Sequence, residues 1–325
     1  MSLARKIVLG LTGGAAVLLI VSMLAIWYLG AWYLVFPSHQ HDAIPPAIPA
    51  DFGEHSEVRA LIFSKTNSFR HQSAIPAARA LFDEVAARRG WAVLHSENGA
   101  VFNSDDLERF DVVVFSNASG DMLSGSQEQA FQSWLERGGG WVGIHAAGDR
   151  SHAEWTWYQD TLIGGVFTQH IMGPQTQEAR VVVEDRSHPV TRGLPAEFSH
   201  AEEWYSWDAS ARTKGFDVLL RVDESSYEPF ARGFGAEMDL RMGDHPVVWA
   251  RCVDRGRSLY VAMGHWAEAY SNPPVARLLE NGLAWAAGVE GDECGGGAKG
   301  EPLGAGAPRR PGVGAELAGR IVRGS

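Results

Sequence analysis

Four short apolar runs, separated by stretches whose apolar residues recur at helical spacing, constrain this chain more than any other feature. They fall at Val58 to Phe63, Trp91 to His95, Asp111 to Ser116 and Gly140 to Ile144. Each is continuously apolar rather than alternating, the pattern of a strand covered on both faces. After the first, Ile75, Ala78, Leu81, Phe82 and Val85 share one helical face, and Gly90 stops the helix. After the third, a helix opens at Ser126, with Gln129 completing a capping-box pattern, and ends at Arg137-Gly138. Strand–helix alternation of this kind predicts an α/β fold with a doubly wound, mostly parallel sheet, flavodoxin-like in plan. Such sheets bind their ligands beyond the carboxyl ends of the strands.

That edge collects polar residues. The loop after the first strand carries Asn67, Arg70 and His71; the third is followed by Asn117, Ser119, Gly120 and Asp121, the fourth by His145 and Asp149. The turn Gly143-Ile144-His145-Ala146-Ala147 has the small-residue pattern of a nucleophile elbow, with histidine where a Ser or Cys would stand. It predicts a sparsely populated backbone conformation at His145, with φ above zero. Two readings of His145 stay open, a catalytic or ligating group and a buried histidine satisfied in a tight loop; the convergence of three polar clusters favours the first.

Beyond residue 150 the pattern changes. A helix is expected over 153–162, a strand over 180–183, a hairpin of 247–252 and 258–263 around Asp254-Arg255-Gly256, and a last helix over 274–287. Residues 196–245, irregular and holding Trp204, Tyr205 and Trp207, are expected to form an aromatic-rich insertion capping the sheet edge.

The ends differ from the middle. No Asp, Glu, Lys or Arg occurs between Lys6 and Asp42, and residues 7–36 are dominated by aliphatic and aromatic side chains. This exceeds the roughly 20 apolar residues a helix needs to cross a bilayer, so residues 1–37 read as an uncleaved signal anchor with one transmembrane helix. Arg5 and Lys6 precede it and the next basic residue is Arg59, which places the N-terminus in the cytoplasm and the main domain outside the cytoplasmic membrane, periplasmic or extracellular. Residues 38–57, with Pro45, Pro46 and Pro49, read as a linker, 58–290 as one domain, and 291–325 as an unpacked Gly/Pro-rich tail. The net charge of −11 argues against a nucleic-acid partner. Of the two cysteines, Cys252 is expected buried in a strand and Cys294 free in the tail, though a single bridge stays open.

Several separated motifs carry a resemblance over about 58–290. They include Phe69-Arg70-His71, Ser116 to Asp121, Gly139 to His145, Gly164-Gly165-Val166-Phe167 with His170, Asp185 to Leu194, Glu202-Glu203-Trp204-Tyr205, Gly264-His265 and Asn281 to Trp285. In order and spacing these resemble the ThuA-like (trehalose utilisation) family, whose domain has a class I glutamine amidotransferase-like fold. The resemblance implies a role in processing disaccharides or their 3-keto derivatives, and a divalent metal such as zinc as cofactor. Carried over by motif, it marks His71, Asn117, His145, Asp149, His170, Glu203 and His265 as site residues. A membrane anchor and a glycine-rich tail depart from the family's usual pattern.

Amidotransferases of this fold use a cysteine thiolate at the elbow. No cysteine lies near position 145, so covalent glutamine hydrolysis is excluded. Histidine there suits a general base or a metal ligand. On a 3-keto sugar the ketone acidifies the neighbouring C–H, and a base with an electrophile on the ketone oxygen would allow elimination. The expected catalytic residues are His145, Glu203, Asp149 and His71, with His71, His170 and His265 as ligands if a metal is bound. Asn117, Trp157, Tyr158 and Trp204 are the expected sugar contacts. His152 is expected on a solvated loop, and His188 and His245 are read as structural. The substrate class is then a small carbohydrate, handled by a lyase, hydrolase or isomerase. A non-catalytic sugar-binding or sensing module is the alternative, and a structural envelope protein a third. Oligomeric state is not legible.

Overall fold

The computed structural model describes residues 2–294 except 39, 153, 234 and 293. Thirteen strands are found among them: β1 Arg59–Phe63, β2 Ala92–Ser96, β3 Val112–Ser116, β4 Gly140–Ile144, β5 Phe167–His170, β6 Gln177–Val183, β7 Glu197–Glu202, β8 Tyr205–Trp207, β9 Asp217–Val222, β10 Phe230–Gly233, β11 Ala236–Asp239, β12 Pro246–Val253 and β13 Gly256–Val261. Nine form one sheet in the order β2-β1-β3-β4-β13-β12-β9-β6-β7. The five on the β2 side pair in parallel, in a register that aligns Leu94, Leu61, Val113, Trp141 and Ser258 across the sheet. Four of them are the expected runs and β13 is an arm of the expected hairpin; β3 and β4 are buried along their whole length.

The expectation of a mostly parallel sheet is corrected by the remaining strands. β12, β9, β6 and β7 pair antiparallel, so the sheet is mixed. The segment 196–245 is only in part an insertion over the sheet edge: β7 and β9 lie within the sheet, while β8 forms a separate ribbon with β5 and carries Tyr205 over His145. β7 alternates, with only His200 and Glu202 buried. Strands of that kind face solvent on one side and do not announce themselves as continuous apolar runs.

Helices cover the parallel half. Ala74–Arg89 ends on Gly90 in the left-handed conformation, and Pro273–Ala286 starts with proline in its first turn under an Asn272 cap. The helix Gly125–Glu136 opens earlier than expected, with Ser124 and Gln127 as its capping box, two residues before Ser126 and Gln129. The first helix, Leu3–Tyr28, contains the stretch Leu11–Tyr28, which is long and apolar enough to cross a membrane and has none of its residues buried.

Three smaller expectations are corrected. Residues 38–57 are pinned along the domain: Gln127 Nε2 donates to the Asp42 carbonyl at 2.7 Å, Asn98 Nδ2 to the Ile44 carbonyl at 3.0 Å, and Phe52 packs on Phe110. The cysteines are not a buried and a free thiol, since Cys252 and Cys294 form a disulfide. The start of the tail is held as well, through Arg257, which donates to the carbonyls of Glu290 and Asp292 at 2.9 Å. The expectation of an unpacked tail beyond 294 lies outside the described residues.

Candidate functional site

β4 delivers His145 through the turn its small residues permit. At Gly143 a Cβ would stand 2.3 Å from the Trp141 ring, so no larger residue fits there. His145 has φ of 48° and Asn117, at the equivalent tip of β3, has φ of 52°. A non-glycine residue in this region costs about 1–3 kcal/mol unless its surroundings enforce it. Here Tyr260 Oη donates to the His145 carbonyl at 2.7 Å, and His145 Nδ1 lies 2.8 Å from the Ala262 carbonyl. That second contact places a proton on Nδ1 and turns Nε2 inward.

Nε2 faces three partners. His265 Nδ1 is 3.1 Å away and Glu203 Oε2 3.4 Å, while the His71 ring stands edge-on with its centroid 4.8 Å from that of His145. His265 Nδ1 is itself 2.9 Å from Glu203 Oε2. His71, His145, Glu203 and His265 are all buried, and one donor atom from each lies within 4.8 Å of the others.

Their elements come from opposite parts of the sheet. His71 follows β1, His145 follows β4 and His265 follows β13, but Glu203 follows β7, five strands away from β4. In a flat sheet those tips would be roughly 24 Å apart, at about 4.8 Å per strand. The observed contact therefore requires the antiparallel half to curl back over the carboxyl edge. Glu202 fastens that closure: its carboxylate accepts the N–H groups of Gly264 at 2.6 Å and His265 at 3.2 Å.

The electrostatics follow from burial and proximity. Burial pushes the His71 pKa well below its ordinary value, and the neighbouring His145 and His265 push it the same way. Burial opposes ionisation of Glu203, but its hydrogen bonds to His145 and His265 outweigh that and hold the carboxyl far below the usual carboxylate range. For His145 the burial penalty is likewise outweighed, chiefly by Glu203 and Glu202, and its pKa rises.

A cavity of about 500 Å³ opens onto the group, with Asp149, His170, Gln175 and Tyr205 also in its wall. Burial raises the Asp149 pKa, and its carboxylate accepts the Ser151 N–H at 2.8 Å. The Tyr205 ring lies over His145, with centroids 4.2 Å apart.

Three imidazoles and one carboxylate are the donor set of a divalent-metal site. The fit has a second mark: His71 Nδ1 is buried and makes no hydrogen bond, and an unsatisfied buried nitrogen is costly without a partner. The donor set differs from the expected His71, His170 and His265. His145 and Glu203 belong to it, whereas His170 sits outside, half-buried, its Nδ1 3.2 Å from Glu203 Oε1. His170 and Gln175 orient the carboxylate from behind.

Four expected sugar contacts lie elsewhere. Tyr158 is fully buried and donates to the Ala147 carbonyl, Trp157 packs on Trp155 and Phe131, and Trp204 is buried with Nε1 on the Gln177 carbonyl. Asn117 is also buried, its amide spent on the Gly264 carbonyl at 3.2 Å and Tyr270 Oη at 2.9 Å. None of the four lines the cavity. His152, expected in solvent, is buried with Nδ1 2.9 Å from the Gly120 carbonyl. Sequence reasoning missed Glu202, Gln175 and Tyr205; the adjacent acid pair Glu202-Glu203 was the available signal for the first.

Residues 59–286 match the ThuA family, described as trehalose utilisation. The chain belongs to that family. A solved ThuA-like protein of Bacteroides uniformis is 30% identical over 74% of this chain and 95% of its own, with a TM-score of 0.62. A second, from Parabacteroides merdae, shares the fold at 16% identity, covering 72% of this chain and 91% of its own with a TM-score of 0.51. No curated protein matches.

Proposed function

We propose that this ThuA protein is a carbohydrate-processing enzyme, held at the outer face of the cytoplasmic membrane, that acts on a glycoside or 3-keto-glycoside by general acid–base chemistry. The observation that carries the reading is the convergence of His71, His145, Glu203 and His265 in one buried group, of which His71, Glu203 and His265 line an open cavity. The family's association with trehalose utilisation supports the substrate class. The apolar stretch 11–28, the basic pair ahead of it and the Cys252–Cys294 disulfide, a bond that persists in oxidising compartments, support the location.

His71, His145, Glu203 and His265 would hold a divalent cation such as zinc, which when bound supplies Lewis-acid polarisation of a sugar carbonyl or hydroxyl. The chain's own residues do the rest. Glu203, kept ionised by His145 and His265 and oriented by His170 and Gln175, fixes the donor group. Asp149, in the same cavity but outside that group, has a carboxyl raised toward neutrality and serves as the proton carrier. On a 3-keto-glycoside it takes the C2 proton; the C–H electron pair becomes the C1–C2 double bond as the C1–O bond breaks, and the proton passes to the departing oxygen. Tyr205 covers His145 and excludes water from that face.

Incubating the full-length protein with a panel of glycosides and 3-keto-glycosides, with and without chelator, tests this. Consumption of one class, lost in an Asp149→Asn variant that still binds the sugar, is the expected result. Saturable binding without turnover of any panel member would make the protein a sugar-binding module instead.

A further inference from the structure

The apolar N-terminal helix does not end clear of the domain. Gly30, just past it, is buried against the loop that delivers His71: its carbonyl accepts the Arg70 N–H at 2.9 Å, and a Cβ there would stand 2.0 Å from the Arg70 carbonyl oxygen. Gln72 Nε2 donates to the Trp27 carbonyl at 3.3 Å. Leu34, in the short helix Trp32–Val35, reaches the wall of the cavity at the site.

On the other side of His71 and His265 lies a second cavity of about 580 Å³. Both histidines line it, together with Trp27, Leu29, Phe69 and Trp266. Phe69 stands edge-on to His71 and Trp266 edge-on to His265, with centroids 4.8 Å and 4.4 Å apart. The slot thus runs from the last turn of the apolar helix to the two histidines, between aromatic walls. Trp27, Tyr28 and Leu29, which line it, are exposed, as are Leu34, Val35 and Phe36 in the short segment that follows. A contiguous apolar rim of this kind marks a surface that meets lipid or an apolar ligand, and at the end of a span it lies at headgroup depth.

We propose that this slot takes the alkyl chain of an amphiphilic glycoside, so that the substrate is a glycolipid entering from the membrane surface rather than a free sugar. The proposal rests on the carbohydrate reading of the site and on the helix being an anchor. The sugar occupies the polar cavity beside Asp149 and Tyr205, the glycosidic oxygen lies near His71 and His265, and the chain leaves toward Trp27 and Leu29. A free disaccharide, polar at both ends, has no complement to that slot.

The test uses the full chain in phosphatidylcholine nanodiscs, with methyl and octyl β-glucoside and their 3-keto derivatives as probes, below the micellar range. The quantity read is the ratio of the two dissociation constants within one protein. The octyl probe should bind at least about tenfold more tightly than the methyl probe, and Leu29→Gln should bring the ratio to within about threefold. A tenfold ratio unchanged by Leu29→Gln would mean that the octyl probe only partitions into the bilayer, and the proposal would fall. Equal binding of the two probes would overturn the slot while leaving the carbohydrate reading intact. Binding of neither probe in either oxidation state would remove both.

Discussion

The parallel half of the sheet, β2-β1-β3-β4-β13, and the antiparallel half, β12-β9-β6-β7, bring different chemistry to the site. The parallel half contributes imidazoles from three loops at one edge, the arrangement expected of any doubly wound sheet. The antiparallel half contributes carboxylates: Glu203 to the donor group and Glu202 to the backbone of Gly264 and His265. Neither half alone makes a site. The imidazoles without Glu203 would be a buried cluster with no anion, and Glu203 without them would be a buried charge with no partner, which costs several kcal/mol. The pocket is a seam, and its geometry depends on how far the second half curls over the first.

Glu203→Gln tests the seam most directly. It keeps the shape but removes the charge, so kcat/KM on any consumed panel sugar should fall by at least about 10³-fold, with bound divalent metal per chain falling in parallel. His145→Ala should cost as much in turnover from the other side while leaving the melting temperature unchanged or slightly raised, because it removes a buried polar group whose placement serves chemistry. If Glu203→Gln lost less than tenfold while His145→Ala lost everything, the parallel half would carry the chemistry alone.

The two halves also differed in how they could be read. β1, β3 and β4 are buried throughout or nearly so, and continuous apolar runs flanked by helical periodicity leave few alternatives. The positive φ of His145 followed from Gly143 and Ala147. β6 and β7 alternate and include Glu178, Arg180, Glu197 and Glu202; 180–183 of β6 read as a strand but β7 read as irregular, and the place of both depends on long-range pairing that no local pattern encodes. The aromatic residues misled for a related reason. Trp157, Tyr158 and Trp204 lie near the motifs in sequence, but large rings are more often spent on filling a core than on meeting a ligand. The linker misled because its anchors, Lys65, Asn98, Arg109 and Gln127, are remote in the chain.

Cys252 lies on β12, in the antiparallel half, and Cys294 follows the helix Pro273–Ala286 that packs beneath β3 and β4. The bridge therefore staples one half to the covering of the other across a separation of 42 residues. Cys252→Ser should destabilise the oxidised protein by about 2–4 kcal/mol, as expected for closing a loop of that order. Thermal unfolding with and without reductant is the check: wild type under reductant should unfold where the variant does. A variant as stable as oxidised wild type would show that packing alone joins the halves.

The smallest effect separates the halves by pH. Glu224 closes a loop of the antiparallel half outside the donor group: its carboxylate accepts the N–H groups of Met242 and Gly243 and lies 2.9 Å from His245 Nδ1. Burial would raise its pKa, but the His245 hydrogen bond and the two N–H groups outweigh it and hold it below the ordinary 4.5. A carboxyl depressed in the folded state adds stability that is fully present above its unfolded pKa and is lost as pH falls through the folded one. Glu224→Gln should therefore cost about 1 kcal/mol near neutral pH, and the two proteins should converge in stability only once the pH has fallen below the depressed folded-state pKa. Amide exchange in the variant should quicken along β9 and β12, which flank this loop, and stay unchanged along β1, β3 and β4. Faster exchange spread equally over both groups of strands would mean that the halves unfold as one unit, and that the seam at the site is no weaker than the rest of the sheet.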